Sequence, residues 1–468
     1  MPTHIRPIVR RALLRGATSL VPLLLVVSPL APARAQRARG TAAPTPYVPP
    51  RDAWEHRTPA QVGLSAKAVQ DAVALALAAE ATSGRDLLEN HRNSFGREPF
   101  GEAIGPFRVP RGGASGLIVK NGYIVAEWGD PDRVDQTYSV TKSFVTSTIG
   151  LAWDRKMIRD LNEPVYRSMA PIVALKGPPQ AEPALVPVPA SAVGAANVKT
   201  DAVPPGAGVA FNAFEMIEPF ESEHNRKITW DHLLRQTSEW QGTLWGKPDW
   251  ADRPARGQNL DDWKARARPA PGSDYTYNDV RVNLMALASL VVWRRPLPQV
   301  LREYLMDPIG ASHTWRWYGY DNSWIVLDGQ LVQSVSGGGH WGGGMFISAY
   351  DQARFGLLTM RNGKWGTKQL ISEAWIRESR TPSAAQPTYG FMNYFLNTPR
   401  RDSTNRRPMP SAPQSTYWHL GNGTNAIICV PEHDLVVVLR WIEGGALDGV
   451  MQRVLASIRE TSRAASSR

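Results

Sequence analysis

The chain has 468 residues, of which 43% are hydrophobic and 20% are charged, so it is long enough to bury a sizeable core, and this composition excludes a disordered protein. The formal net charge is +11, but residues 1–35 carry five arginines and no acid, which leaves 11 − 5 = +6 for the rest. The remaining basic residues are scattered, apart from a cluster at 400–407 that we interpret as a solvated loop, so no nucleic-acid partner is predicted.

The cysteine and histidine content argues against metal chemistry. Cys429 is the single cysteine, which excludes an intramolecular disulfide and a thiolate metal cluster. It lies in the apolar run 426–430, which is typical of a buried strand, so an inert core thiol is expected. The nine histidines include no His-Glu-x-x-His helix, and we predict neither a metal nor another cofactor.

The N-terminus has the three parts of a secretory signal. A stretch with basic residues precedes an apolar stretch from 17 to 30, and Ala33-Arg34-Ala35 has the small-x-small form of a cleavage site. A membrane anchor is the weaker alternative, because the apolar stretch is short for a bilayer span and contains two prolines. We therefore predict a cleaved signal over residues 1–35, export to the periplasm or the medium, and no stable membrane anchor after cleavage. Arg10-Arg11 leaves open whether export uses the general secretory or the twin-arginine route.

The first folded elements are expected soon after the signal. Residues 36–50 are rich in Ala, Pro and Arg and are predicted to be a flexible leader. Residues 65–79 have helical spacing, with Ser65 as the N-cap. Residues 116–128 are typical of a β-hairpin, because Asn121-Gly122 joins two apolar runs.

The run Ser139-Val140-Thr141-Lys142 follows the hairpin, on a helix predicted from about 137 to 154. Residues three positions apart lie on one helix face, so a neutral lysine amine here is placed to take the proton of the serine hydroxyl. Serine and lysine at this spacing are also ordinary on a solvated helix. Here the neighbours are apolar or small, and an unpaired lysine on a buried helix costs several kcal/mol, so the pair is a candidate nucleophile and base.

The middle of the chain is predicted to be mostly helical. From 170 to 208 it consists largely of Ala, Pro and Val with almost no charge, which favours a long irregular insertion. Helices are predicted after the cap residue Thr229 and over residues 279–293 and 297–306.

The C-terminal part returns to strands. A glycine-dense turn at 336–344 precedes strands at 424–430 and 435–441 and a helix at 447–463. Strands at both ends of the chain predict an α/β protein in which one sheet is assembled from N- and C-terminal parts, with a helical domain inserted. The predicted domains are a sheet domain over residues 51–155 and 335–468 and a mostly helical domain over residues 156–334, which contains the insertion at 170–208.

Three motifs in this order resemble those of the serine β-lactamase and penicillin-binding-protein superfamily. Ser139-Val-Thr-Lys142 is similar to its first motif. The segment from Pro271 to Asp279 is similar to the Pro-Gly-x-x-Phe-x-Tyr-Ser-Asn segment of the branch related to class C β-lactamases, which aligns Tyr277 with the catalytic tyrosine. Trp418-His419-Leu420-Gly421 is similar to the His-x-Gly form of the third motif. The resemblance extends from about Trp54 to the C-terminal helix and implies a β-lactamase-like fold, an antiparallel sheet flanked by helices with an inserted, mostly helical domain.

The resemblance also implies the oxyanion donors, and two residues depart from it. The donors are the backbone amides of Ser139 and Asn422, with Gly421 at a strand edge where substrate approaches closely. Asp279 stands where the branch usually has asparagine, which adds a charge near the site. His419 stands where typical β-lactamases present a lysine to the substrate carboxylate, so hydrolysis of antibiotics is less expected than hydrolysis of esters or amides.

We therefore predict an exported serine hydrolase that cleaves a small-molecule ester, amide or peptide through an acyl-enzyme on Ser139, activated by Lys142 and Tyr277. Both candidate bases have reference pKa values of about 10. Burial lowers the pKa of a lysine, and an adjacent ammonium lowers the pKa of a tyrosine, so either Lys142 or Tyr277 remains possible as the base. The alternatives are a β-lactamase or D-Ala-D-Ala peptidase and, from another class, a non-catalytic peptidoglycan- or peptide-binding protein of the same fold. Further pocket candidates are Asp279, His340, Trp341 and Trp240. The oligomeric state is not predicted.

Overall fold

The computed structural model describes residues 46–177, 214–254 and 259–466. The predicted signal, most of the predicted leader and residues 178–208 of the predicted insertion lie outside the described residues. No helix in the described ranges has the length and apolar character needed to cross a membrane.

Every predicted helix is present among the described residues, together with four helices that the spacing did not predict, Leu87–Asn93, Leu260–Ala265, Ala349–Met360 and Glu373–Ser379. In chain order, the helices are α1 (Ala66–Ala78), α2 (Leu87–Asn93), α3 (Thr141–Asp154), α4 (Trp230–Leu234), α5 (Leu260–Ala265), α6 (Asp279–Trp293), α7 (Leu297–Leu301), α8 (Ala349–Met360), α9 (Glu373–Ser379) and α10 (Leu447–Ser466). The predicted N-caps are confirmed, because Ser65 Oγ accepts from Ala68 N at 3.4 Å and Thr229 Oγ1 from His232 N at 3.2 Å. Helix α7 continues as a π-helical turn over Arg302–Met306.

The strands of the described residues form two larger sheets and two short pairs. They are β1 (Ser115–Lys120), β2 (Tyr123–Trp128), β3 (Asp135–Gln136), β4 (Ile172–Leu175), β5 (Phe214–Ile217), β6 (Thr243–Leu244), β7 (Lys247–Pro248), β8 (Arg316–Leu327), β9 (Gln330–Val335), β10 (Gly344–Ile347), β11 (Lys364–Trp365), β12 (Lys368–Gln369), β13 (Phe395–Leu396), β14 (Tyr417–Gly421), β15 (Asn425–Val430) and β16 (Leu435–Arg440).

The main sheet is antiparallel and joins the two ends of the chain, as predicted. Its strand order is β13-β14-β15-β16-β1-β2, and Leu117 pairs with Val438 where β1 meets β16. Successive residues point to opposite faces. Leu117 and Val438 therefore pack toward α3 and α8, whereas Ile118 and Val437 pack on the other face with α1 and α10. Both faces are buried, which explains why these strands are continuously apolar.

A second sheet takes four of its six strands, β4, β5, β8 and β9, from the part of the chain predicted to be mostly helical. Its strand order is β3-β10-β8-β4-β5, with β9 paired to β8. The long strand β8 was not predicted, because Asp321-Asn322 in its middle has the composition of a turn. The pairing of β8 with β9 shifts register between Gly319 and Trp324, which accommodates that polar pair. Strand β4 lies at the start of the predicted insertion, so the insertion begins with regular structure. The domain boundaries at 156 and 334 stay a prediction.

Helix α3 is the central helix of the molecule. Its first twelve residues, from Thr141 to Ala152, are all buried, and it packs against α6 and α7. Small residues permit this close packing. A Cβ added at Gly150 would clash with the Trp375 indole, so α9 approaches the α3 backbone directly. The helix thereby holds its N-terminal end rigidly between the two larger sheets.

Candidate active site

Ser139 lies on a single 3₁₀ turn, Tyr138–Val140, that leads directly into α3. The spacing had predicted that Ser139 lies in the α-helix itself. It lies just before the helix because Tyr138 adopts a left-handed conformation, with φ of 47°. A tyrosine in that region is strained, and such strain is concentrated at functional sites. The turn leaves Ser139 partly exposed, while Lys142, in the first turn of α3, is fully buried.

The three predicted catalytic side chains converge on the serine hydroxyl. Ser139 Oγ lies 2.7 Å from Lys142 Nζ and 2.8 Å from the Tyr277 hydroxyl oxygen. Lys142 Nζ also donates to the Gly338 carbonyl at 3.2 Å and lies 5.0 Å from the centre of the Tyr277 ring. Tyr277 reaches the serine because it directly precedes Asn278, whose side chain caps α6 by accepting from Arg281 N.

A buried ionic network surrounds Lys142. Asp279 Oδ1 lies 2.8 Å from Lys142 Nζ, and Asp279 Oδ2 lies 2.7 Å from Arg253 Nη2 and 3.2 Å from His340 Nδ1. Arg253 Nη1 donates to both carboxylate oxygens of Asp252, at 2.8 and 2.9 Å. The side chains of Lys142, Asp252 and Asp279 are 0% exposed, so each charge depends on its partners rather than on water.

Burial acts in opposite directions on the two candidate bases. It lowers the pKa of Lys142, against the opposing effect of Asp279. It raises the pKa of Tyr277, and the negative charge of Asp279 adds to that effect. The expectation that a neighbouring ammonium lowers the pKa of the tyrosine is therefore not met. For Asp279 itself, burial favours the neutral acid, but Arg253 and Lys142 overcome this and hold its pKa well below the usual range.

The end of β14 lies beside the serine turn. A Cβ built on Gly421 would clash with the Thr137 carbonyl oxygen and would lie 3.3 Å from Ser139 N. Only glycine permits this approach. It brings the end of the strand, where the exposed residue Asn422 follows, next to the backbone amide of Ser139. The two amides expected as oxyanion donors thus lie on adjoining segments.

His419 occupies the core instead of the pocket. Its side chain is buried, with Nδ1 2.7 Å from Ser143 Oγ and 3.2 Å from the Asn393 carbonyl oxygen, and the ring packs on Tyr394. Burial lowers its pKa to about 3, so the imidazole is neutral. A neutral imidazole bonded to Ser143 does not replace a lysine that attracts a substrate carboxylate.

The remaining pocket candidates separate into two groups. His340 and Trp341 lie next to the network. The His340 ring is stacked on Phe95, with 4.5 Å between ring centres, and tilted against Trp341, with 4.1 Å between ring centres. Trp240 is 2% exposed, and its indole donates to the Pro219 carbonyl at 2.6 Å, so it packs the core. Of the aromatic candidates, the structure therefore brings His340 and Trp341, but not Trp240, to the site.

A cleft of about 490 Å³ adjoins the serine turn. One end is lined by Tyr138, His340 and Asn422, the immediate neighbours of the catalytic groups. The wall includes the aromatic side chains of Phe95, Phe107 and Trp441 and the carboxylate of Glu443. Among the described lining residues there is no lysine or arginine, so the cleft offers no fixed positive charge to a ligand.

One group of side chains has the composition of a metal site. Glu98, Asp252 and His340 place one ligand atom each within 4.8 Å of one another. Arg253, however, binds both oxygens of Asp252. A divalent cation there would have to displace this guanidinium, and we interpret the group as part of the ionic network.

Sequence reasoning missed Asp252 and Arg253. They follow a tryptophan-rich loop, and neither has a motif or a periodic pattern. Their roles depend on contacts with Asp279, which is 26 positions after Arg253. The unusual aspartate itself was a signal, because a buried acid next to a lysine requires additional cations or hydrogen-bond donors.

This chain is similar to known proteins in sequence and in structure. The family model described as Beta-lactamase matches residues 105–441. The search of curated proteins found no match. A β-lactamase from Mycobacterium bovis is 17% identical, with a TM-score of 0.44 over 76% of this chain and 96% of that one. A penicillin-binding protein from Bacillus halodurans is 16% identical, with a TM-score of 0.43 over 73% of this chain and 94% of that one. EstCE1, a hydrolase with promiscuous acyltransferase activity, is 16% identical, with a TM-score of 0.44 over 84% of this chain and 99% of that one. The family match includes all three motifs and most of the chain, and the chain therefore belongs to the beta-lactamase family.

Proposed function

We propose that the protein is an exported serine hydrolase that cleaves esters or amides through an acyl-enzyme on Ser139. The observation that supports it is the position of Ser139 Oγ, within 2.8 Å of both Lys142 Nζ and the Tyr277 hydroxyl. A serine attacks a carbonyl only when a base accepts its proton, and such a base must lie within hydrogen-bonding distance.

Lys142 is the base in this mechanism. Its pKa is lowered by burial, so a neutral amine is accessible, whereas the raised pKa of Tyr277 keeps the phenol protonated. Ser139 Oγ bonds to the carbonyl carbon as its proton passes to Lys142 Nζ. The carbonyl electron pair moves to oxygen, where the amides of Ser139 and Asn422 stabilise the charge.

Tyr277 completes the cycle as an acid. When the tetrahedral intermediate collapses, the bond to the leaving group breaks, and the Tyr277 hydroxyl donates a proton to the departing oxygen or nitrogen. The Lys142 ammonium then returns its proton to the Tyr277 phenolate; both groups lie within 2.8 Å of the Ser139 Oγ position. Water attacks the acyl-enzyme and gives a proton to Lys142. The bond between the acyl carbon and Ser139 Oγ then breaks, and Lys142 gives the proton to the departing serine oxygen.

The substrate is proposed to lack a recognised carboxylate. β-Lactams and D-Ala-D-Ala peptides carry one, and the third motif of typical β-lactamases binds it with a lysine. Here that position holds the neutral, buried His419. The charged group of the adjoining cleft is the Glu443 carboxylate, which repels anions. Neutral or cationic esters and amides fit both features.

Covalent labelling and a substrate profile test the proposal. The purified protein is treated with a fluorophosphonate probe and assayed with a p-nitrophenyl ester, nitrocefin and a D-Ala-D-Ala peptide. We expect stoichiometric labelling that is lost in Ser139→Ala, and a higher kcat/KM for the ester than for the other two. Faster nitrocefin turnover would indicate a β-lactamase. Absence of labelling, with no activity on any substrate, would leave the non-catalytic binding protein.

A further inference from the structure

The carboxylate of Asp279 presents a problem for the proposed chemistry. It lies 2.8 Å from Lys142 Nζ, and both side chains are fully buried. A buried carboxylate at this distance stabilises the ammonium form of lysine. An ammonium has no lone pair with which to accept the Ser139 proton. Some other group must therefore reduce the effect of Asp279 on Lys142.

Arg253 is placed to do this. Its Nη2 lies 2.7 Å from Asp279 Oδ2, the oxygen opposite the one that faces Lys142. Its Nη1 is held by Asp252, and the guanidinium lies 5.2 Å from the centre of the Tyr277 ring. The Arg253 side chain is 30% exposed, so it forms the solvent side of a network whose acids are fully buried.

The other charged groups do not perform the same task. The titratable neighbours of Asp279 and Lys142 are Glu98, Asp252, Tyr277, Tyr320 and His340. Burial raises the pKa of Tyr277 and Tyr320, so both are neutral phenols. His340 faces three acids, with Nδ1 3.6 Å from Asp252 and 3.2 Å from Asp279 and Nε2 3.8 Å from Glu98. Among these described groups, Arg253 is the side chain that contacts both Asp252 and Asp279 and keeps its positive charge whether or not Lys142 is protonated.

We infer that Arg253 is a positioning residue that shares the charge of Asp279 and so leaves Lys142 free to act as the base. The inference rests on the proposed function. Arg253 touches neither Ser139 nor the reacting atoms; it acts through Asp279. The same geometry explains how this chain keeps an aspartate where the branch it resembles usually has asparagine.

The pH dependence of kcat/KM tests this role, because a purely structural effect would not move it. Hydrolysis of a neutral p-nitrophenyl ester is measured from pH 5 to 10 for the wild type, Arg253→Gln, Arg253→Lys and Asp279→Asn. In Arg253→Gln the ammonium form of Lys142 is favoured, so the acid limb moves to higher pH by one unit or more. A shift of one unit lowers kcat/KM roughly tenfold at pH values on the acid limb, and kcat/KM returns to the wild-type value at high pH. Asp279→Asn removes the carboxylate and moves the limb to lower pH.

Two comparisons make the result decisive. Arg253→Lys keeps the positive charge and should keep the limb near the wild-type position, and Arg253→Gln/Asp279→Asn should follow Asp279→Asn, because Arg253 acts through that carboxylate. A loss of kcat/KM in Arg253→Gln that is equal at every pH would overturn the inference. So would an acid limb in His340→Asn that moves to higher pH as far as the limb in Arg253→Gln. Wild-type labelling by the fluorophosphonate probe separates these outcomes from failure of the proposed function itself.

Discussion

Lys142 and Tyr277 lie equally close to Ser139, and their surroundings assign them different tasks. A cationic acid and a neutral acid respond oppositely to burial, because burial penalises whichever form is charged. Burial favours the neutral amine of Lys142 and the neutral phenol of Tyr277. For Lys142 this effect is opposed by Asp279, whose carboxylate also pairs with Arg253. At this scale, a single distance does not identify the base; the environment of each group does.

Tyr277→Phe should therefore slow the reaction without abolishing acylation. Removing the hydroxyl eliminates the proton donor to the leaving group, and the expected loss in kcat/KM is about 10²- to 10³-fold. Tyr275→Phe is the matched control, because Tyr275 lies two positions earlier and its ring packs 5.0 Å from Tyr389 rather than on Ser139. Hydrolysis of an alkyl ester, whose alkoxide leaves only with a proton, is followed by pH-stat titration for both variants. Equal losses in the two variants would contradict the role of Tyr277.

His419 is predicted to reduce stability in acid. Its pKa in the folded protein is about 3, against 6.5 for an unperturbed histidine, so the unfolded chain binds a proton in this interval and the folded protein does not. Stability is therefore complete above pH 6.5 and is lost as the pH falls toward 3. At pH 4.5 the loss from this residue is about 3 kcal/mol. His419→Gln should show a smaller decrease between pH 7 and 4.5 in urea unfolding; His91 and His232, also with lowered pKa values, are present in both proteins.

Two elements hold the site, α3 and β14, and both do so through close backbone approach. The small residues of α3 allow α9 to pack on it, and Gly421 allows β14 to reach the serine turn. Rigid secondary structure of this kind positions oxyanion donors better than a loop does, because preorganised donors need no rearrangement during the reaction.

Gly421→Ala should separate β14 from the serine turn. The added Cβ would clash with the Thr137 carbonyl, and displacement of one oxyanion donor costs about 3 kcal/mol, or roughly 10²-fold in kcat/KM. Gly445→Ala is the control, because nothing lies within 4 Å of its Cβ position. Thermal unfolding and ester hydrolysis are measured on both. A Gly421→Ala enzyme with wild-type kcat/KM would show that the strand end does not contribute to the oxyanion site.

At the scale of the whole molecule, an antiparallel sheet buried on both faces replaces covalent cross-links. The chain has one cysteine, and Cys429 is buried in β15, where burial raises the pKa of its thiol to about 12. A protein without a disulfide depends on its core for stability. Its apolar area is divided between a large cluster around α3, α6 and α8 and a smaller one between the main sheet, α1 and α10.

The thiol of Cys429 should consequently be unreactive in the native protein. A disulfide exchange reagent such as DTNB should label almost no native protein and one equivalent in guanidinium chloride, because only unfolding exposes the thiol and lets it ionise. Addition of a reductant should leave the Tm unchanged. Rapid labelling of the native protein would show that β15 opens locally, as a sheet edge does and a central strand does not.

The sequence alone determined what depends on residues close together in the chain. The caps Ser65 and Thr229, the Asn121-Gly122 hairpin, the bounds of α6 and the Ser139–Lys142 pair follow from local propensity and spacing. The resemblance of the motifs then indicated Tyr277, which the structure brings to Ser139 from 138 positions away. The family and the fold were predictable for the same reason.

Only the tertiary structure decided how these parts interact. The strand β8 was obscured by Asp321-Asn322, and the core position of His419 depends on Ser143, 276 positions earlier. The pairing of Arg253 with Asp279 is also a tertiary contact, because Asp279 signals that a further cation or donor is needed but not which residue supplies it. Spacing in the chain determines which residues share a helix face. Burial and charge, which set the pKa values of Lys142, Tyr277 and Asp279, are properties of neighbours that long-range packing brings together.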